Sequence, residues 1–114
     1  MKSTVSLKKN NEFLKLYKKG RFYAGRHIVL YTLKNGLTIN RLGITVSKKF
    51  GNSVKRNRIK RLIKENYRSY KNSVKTGYDM VIVARKNTQM PSYTDIKKEM
   101  KFLFKKLGIY IEKD

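Results

Sequence analysis

The sequence predicts a single α+β domain, residues 1–114, in which one sheet packs against its helices. Three patterns carry that prediction. Residues 27–47 hold two segments with strand alternation, residues 53–70 hold a long amphipathic helical pattern, and residues 78–85 form a near-continuous apolar run rich in β-branched residues. A chain of 114 residues stays below the length at which cores divide, and it contains no internal repeat, low-complexity segment or Pro/Gly/Ser linker.

The first element is a short helix over about 11–19. Phe13, Leu16 and Tyr17 make an i, i+3, i+4 stripe, and Asn10 or Asn11 can cap its start. Gly20 sits where a left-handed C-terminal glycine belongs, and Lys18 and Lys19 suit the negative end of the helix dipole. Arg21–Ala24 follows as a short strand. His27–Lys34 alternates Ile28, Leu30 and Thr32 against Val29, Tyr31 and Leu33, and Asn35-Gly36 is a hairpin-turn signal. In residues 41–47, Leu42, Ile44 and Val46 alternate with Gly43 and Thr45, so the second face of that strand is small and expected to be partly open.

Asn52 or Ser53 begins the second helix, which runs to about Tyr70. At 100° per residue Ile59, Leu62, Ile63, Tyr67 and Tyr70 share one face, while Asn57, Lys60, Arg61, Lys64 and Arg68 share the opposite one. Gly77 opens the apolar strand 78–85, whose two buried faces mark it as central. Ser92-Tyr93-Thr94-Asp95 reads as a capping box for a last helix with Ile96, Met100, Leu103 and Leu107 along one face, ending at Gly108. The predicted order is α-β-β-β-α-β-α.

Charge narrows the function. The chain has 29 Lys and Arg against 7 Asp and Glu, a formal charge of +22. Residues 13–64 contain no acid while carrying fifteen of the basic residues. Such a segment repels itself unless a polyanion supplies counter-charge, so a nucleic-acid partner is expected. With no cysteine and one histidine, thiolate and multi-histidine metal sites are excluded. Asp79 at a strand start is read as a turn or surface residue, Glu65 as a partner of Arg61 or Arg68, and His27 as structural or phosphate-contacting. No catalytic residue and no metal site is assigned to the polypeptide. The apolar runs are too short to span a membrane, and Met1-Lys2-Ser3-Thr4-Val5 has no secretory core, so a cytoplasmic location without membrane contact is expected.

Residues 54–64 place six basic side chains in eleven positions on the second helix while sparing its apolar face. Arginine forks can span two phosphate oxygens, and the Asn57 amide can both donate and accept. Phe13 and Tyr17 lie one turn apart among lysines, and Tyr31 is on a strand whose open face can sit beside them. Periodicity alone favours core roles for these aromatics, whereas their basic setting suits stacking on unpaired bases.

At Lys55-Arg56-Asn57-Arg58-Ile59-Lys60-Arg61-Leu62-Ile63-Lys64-Glu65 the sequence resembles the protein subunit of bacterial ribonuclease P. Asn11-Glu12-Phe13, Val29-Leu30-Tyr31, residues 41–49, Gly51-Asn52 and Ile82-Val83-Ala84-Arg85 resemble further blocks of that family, in family order, while 35–40 matches none. The resemblance implies a four-stranded sheet in which the basic helix joins two parallel strands by a left-handed crossover. It implies a protein that binds the catalytic RNA of ribonuclease P and the 5′ leader of precursor tRNA, with hydrolysis performed by RNA and Mg²⁺ bound mainly by that RNA. Carried over by position, Arg56, Asn57, Arg58, Lys60, Arg61 and Lys64 would face the catalytic RNA. Phe13, Tyr17, Tyr31, Ser47 and Lys48 would form the leader cleft. Tyr17 stands where many members carry Phe. No protein partner is implied. Two competing readings are a structural RNA binder of ribosomal type and an anionic-membrane binder; the latter needs an exposed apolar helix face that the core already claims here.

Overall fold

The structure is a computed structural model and describes residues 4–86 and 89–112. The N-terminal reading above falls partly on residues 1–3, outside the described residues. Five strands, not four, form one sheet: β1 (Thr4–Ser6), β2 (Arg21–Ala24), β3 (Ile28–Lys34), β4 (Asn40–Thr45) and β5 (Tyr78–Ala84), in the order β1-β4-β5-β3-β2. Three helices, α1 (Asn10–Lys19), α2 (Ser53–Tyr70) and α3 (Tyr93–Lys106), pack on it. The described chain therefore opens with a strand before the predicted α-β-β-β-α-β-α series. β1 is too short to announce itself in the sequence. It exists by parallel pairing to β4, from Thr4 opposite Asn40 to Ser6 opposite Leu42, and the Thr4 hydroxyl lies 3.1 Å from that of Tyr67 on α2.

The expected hairpin at Asn35-Gly36 does not form. β5 lies between β3 and β4, antiparallel to the first and parallel to the second. The turn chemistry survives without strand pairing. Gly36 has φ +72°, the Asn35 side chain accepts from the Leu37 N–H at 2.8 Å, and the Asn35 N–H donates to the Gly77 carbonyl at 2.9 Å. Residues 35–39 thus cross the start of β5 to reach the far side, and α2 connects the parallel neighbours β4 and β5.

Helix ends follow local chemistry with two corrections. α1 is preceded by Lys9 rather than capped by Asn10 or Asn11, and Glu12 reaches back to the Lys9 N–H at 3.3 Å. Gly20 has φ −73°, not a left-handed value; it is glycine because a Cβ would stand 2.5 Å from the Leu16 carbonyl oxygen and 2.9 Å from that of Thr32. The other caps match expectation. Asn52 accepts from the Lys55 N–H at 2.9 Å, and Ser92 and Asp95 exchange a capping box at 3.1 and 3.0 Å. Those Ser92 bonds hold the Asp95 carboxyl below its ordinary range.

Strand alternation divides the interior into two cores. One face, with Ile28, Leu30, Met80, Ile82 and Ala84, is roofed by Ile59, Ile63, Tyr67 and Tyr70 of α2 and by Ile96, Met100, Leu103 and Phe104 of α3. The other carries Val81 under Leu16 of α1 and Leu7, with Phe13, Tyr31, Leu33 and Val83 half-buried around them. Asn66 of α2 is also buried, with its amide donating to the carbonyls of Leu62 at 3.0 Å and Tyr93 at 3.2 Å. Burial raises the pKa of Tyr67, opposed by hydrogen bonds to Thr4 and Asn40. Among the described residues no helix is long and apolar enough to cross a membrane.

Candidate nucleic-acid interface

The face under α1 is only half covered, because a ten-residue helix cannot span five strands. Leu16 points straight down and is fully buried, and its neighbours Phe13 and Tyr17 flank it toward the open sheet. Phe13 lies over β4 at Gly43, where a Cβ would be 2.6 Å from its ring. The small second face predicted for β4 is thus a seat for an aromatic ring: Gly43 is buried, not open. Tyr17 remains 39% exposed, its hydroxyl 3.2 Å from that of Thr45 and its ring edge-on to Tyr31 at 5.0 Å between centroids. Asn10, Phe13, Leu14, Tyr17, Ile44 and Thr45 line a hollow of about 480 Å³.

Phe13, Tyr17 and Tyr31 are therefore gathered into one cluster. Ser47 and Lys48, both exposed, lie two and three residues beyond Thr45, where β4 runs out beside Tyr17. The choice between core and surface resolves by residue. Tyr17 is at the surface, whereas Phe13 and Tyr31 are half-buried and pack against the smaller core while keeping part of their surface open.

Sequence reasoning missed Phe22. It sits on β2 directly opposite Tyr31, stacked on that ring at 5.2 Å and 27°, and is 58% exposed. Tyr17, Tyr31 and Phe22 thus form a row from α1 to the edge of the sheet. The strand register of Phe22 was readable, but its partner across the sheet was not.

Also missed was the device that holds α1 in place. Asp79 is buried, neither a turn nor a surface residue, and accepts two bonds from the Arg41 guanidinium at 2.7 Å each and one from the Asn35 amide at 3.0 Å. The same guanidinium pairs with Glu12 on α1. Hydrogen bonding to Asp79 is the main cause raising the Arg41 pKa above its already high ordinary value, so the guanidinium stays charged. Arg41 therefore pins the first turn of α1 to strands β4 and β5. Glu65 is exposed and forms no ion pair with Arg61 or Arg68. Among the described residues no group of three or more His, Asp or Glu side chains can hold a metal ion; Glu12 and Asp79 are both taken by Arg41.

On α2 the basic residues keep clear of the core. Asn57, Arg58, Arg61 and Lys64 are exposed, while Arg56 and Lys60 are half-buried. The Arg56 Nε is buried with no acceptor among the described residues. Lys60, Lys64 and Arg68 form one wall of a groove of about 400 Å³, whose other wall is β1 with Leu7 and Phe13. Phe13 and Ile44 line both hollows, so the aromatic cluster and the basic helix meet at the Phe13 ring.

Comparison with known proteins supplies the context for this geometry. Residues 1–108 match the family Ribonuclease P. A Ribonuclease P protein component from Clostridium botulinum (strain Loch Maree / Type A3) is 50% identical over 105 residues, covering 91% of this chain and 95% of that protein. The RNase P protein of Staphylococcus aureus superposes with a TM-score of 0.84 at 36% identity, over 95% of this chain and 99% of that one. The RNase P protein from Thermotoga maritima superposes with a TM-score of 0.80 at 30% identity, over 89% and 96%.

Proposed function

The chain belongs to the ribonuclease P protein family, and from that premise we propose how its surfaces divide the work of the particle. It is a subunit of the tRNA 5′-processing ribonucleoprotein, an endoribonuclease complex, and it associates with the RNA of that complex. In our reading the basic face of α2 lies on the catalytic RNA and the aromatic cluster under α1 grips the single-stranded leader of precursor tRNA. Hydrolysis belongs to the RNA, where bound Mg²⁺ would activate water and neutralise charge at the scissile phosphate.

The observation that carries this division is the groove in which Phe13 joins the two surfaces. A leader strand lying on Tyr17 and Tyr31 and a structured RNA on Lys60 and Lys64 would be neighbours, which suits a protein that holds substrate against a catalytic RNA. Tyr17 and Tyr31 offer faces to unpaired bases, and Lys48 with Lys15 and Lys18 offers charge to the leader phosphates. On α2, Arg58, Arg61 and Lys64 supply exposed cations, Asn57 a directional amide and Arg56 a half-buried guanidinium. Lysines and arginines near crowded phosphates replace part of the cation requirement of folded RNA.

The test is precursor-tRNA cleavage by a bacterial ribonuclease P RNA at low Mg²⁺. The protein should raise the rate, and the polypeptide freed of RNA should not cut at the mature 5′ end; specific cleavage by RNA-free protein overturns the division of labour. In the same system Arg61→Ala with Lys64→Ala should make log K for the ribonuclease P RNA less steep against log[salt] by about 1.4–1.8 units. An unchanged slope removes this face from the interface.

A further inference from the structure

The row Tyr17–Tyr31–Phe22 ends at β2, which is the open edge of the sheet, with all four of its residues exposed. The next residue, Tyr23, points to the opposite face. There it meets Phe102 of α3 edge-to-face at 5.8 Å, and both rings keep substantial exposure, 41% and 46%. The Lys106 ammonium stands over both, 5.8 Å from the Tyr23 centroid and 5.5 Å from that of Phe102. This second aromatic pair plays no part in either core and none in the cleft described above.

Its surroundings are cationic. Lys101 and Arg21 are exposed nearby on α3 and β2, as is Lys105, which pairs with Glu112 at 3.5 Å. The carboxylate of Glu99, on the same helix, is withdrawn from the surface by bonds from the N–H groups of His27 at 2.8 Å and Ile28 at 2.7 Å. Exposed aromatic faces under a lysine, with the described carboxylates on this side, Glu99 and Glu112, already engaged, match the chemistry of unpaired bases and their phosphates rather than that of an apolar protein surface. A base-paired helix is a poor fit, since its bases have no free faces to stack.

We propose that Tyr23 and Phe102, with Lys106, form a second stacking site for the same leader, which passes from Phe22 around the edge of β2. This rests on the cleft being the leader site and extends it. Phe22 and Tyr23 are consecutive and straddle the edge, so a flexible single strand leaving one ring reaches the other by turning about one strand of the sheet. The site takes bases without regard to sequence, since every base has a face to stack. It engages only leaders long enough to make the turn.

The test uses the chain assembled with a bacterial ribonuclease P RNA and two precursor tRNAs, with leaders of roughly 4 and roughly 16 nucleotides. Phe102→Ala and, separately, Tyr23→Ala should weaken binding of the long-leader precursor by about fivefold or more and leave the short-leader precursor unchanged. Neither should shift the melting temperature appreciably, because both rings are exposed, and neither removes a charge, so the salt slope should stay the same. Tyr17→Ala should weaken both precursors. Unchanged long-leader binding in both edge variants overturns the second site, as does an equal loss on the two leaders. A silent Tyr17→Ala overturns the cleft itself, whatever the edge variants do.

Discussion

The two faces of the sheet are built from the same strands and meet opposite fates. Toward α2 and α3, Met80, Ile82, Leu30 and Ile28 are sealed by two helices of 18 and 14 residues. Toward α1, Val81 is sealed by Leu16, and the residues around it are half-open. The closed face holds most of the buried apolar residues, which leaves the other free to present rings to solvent. A shallow core is a poor foundation but a good binding surface, and here alternation along β3, β4 and β5 supplies one of each.

Truncation of the closed face should produce the largest effect. Phe104→Ala empties a fully buried site between Tyr67 and Tyr70, whose rings lie 6.4 and 5.8 Å away. It should lower stability by about 3–5 kcal/mol in thermal or denaturant unfolding. A loss below about 1 kcal/mol would mean that the roofed face does not bear the stability assigned to it.

The joint between the faces comes next. Arg41→Met leaves Asp79 buried without its cation and frees Glu12 from the sheet. Since the Arg41 side chain is 27% exposed, the expected loss is about 2–3 kcal/mol, below that of a fully buried pair. Precursor affinity should fall with it, because Phe13 and Tyr17 ride on the helix that Arg41 pins. Intact stability with intact affinity would show that α1 holds its place by Leu16 alone.

The open face should answer in binding rather than in stability. Tyr17→Ala removes one stacking platform, worth about 1–2 kcal/mol of precursor affinity in the assembled particle. Mature tRNA binding and the melting temperature should stay nearly constant. Equal losses for precursor and mature tRNA, or a lower melting temperature, would return Tyr17 to the core and erase the contrast between the faces.

Most of this division was legible in the sequence wherever periodicity spoke. The 3.6-residue pattern of α2 and α3 and the apolar run of β5 found the closed face, and the basic stripe from Arg56 to Lys64 followed from the same arithmetic. The parts that stayed hidden are those set by distant neighbours. Thr4–Ser6 is a strand only because β4 offers an edge. Asn35-Gly36 turns the chain without making a hairpin because β5, forty residues later, takes the place beside β3. Gly43 looks like a local signal, yet it is fixed by a remote group, the Phe13 ring, and Gly20 is held by the Thr32 carbonyl as well as by that of Leu16 in its own helix. Asn66 and Asp79 are polar residues inside, which no hydrophobic pattern reveals. In the site, Phe13, Tyr17 and Tyr31 could be grouped by their basic context, whereas Phe22 needed the β2–β3 register to join them.

The insertion of β5 between β3 and β4 also sets a timetable. As the chain is synthesised, β2 and β3 can pair at once, but β3 and β4 have nothing to share until residues 78–84 emerge. By then the whole acid-free stretch 13–64 has been made, strongly cationic and without the strand that joins β3 to β4. Non-local pairing of this kind slows folding, and self-repulsion across so many lysines and arginines opposes collapse while the centre of the sheet is missing. RNA is abundant where proteins are made, and it is the counterion such a nascent chain would attract. The partner that the finished domain is shaped to hold is thus also the one suited to quiet its charge while the last central strand arrives.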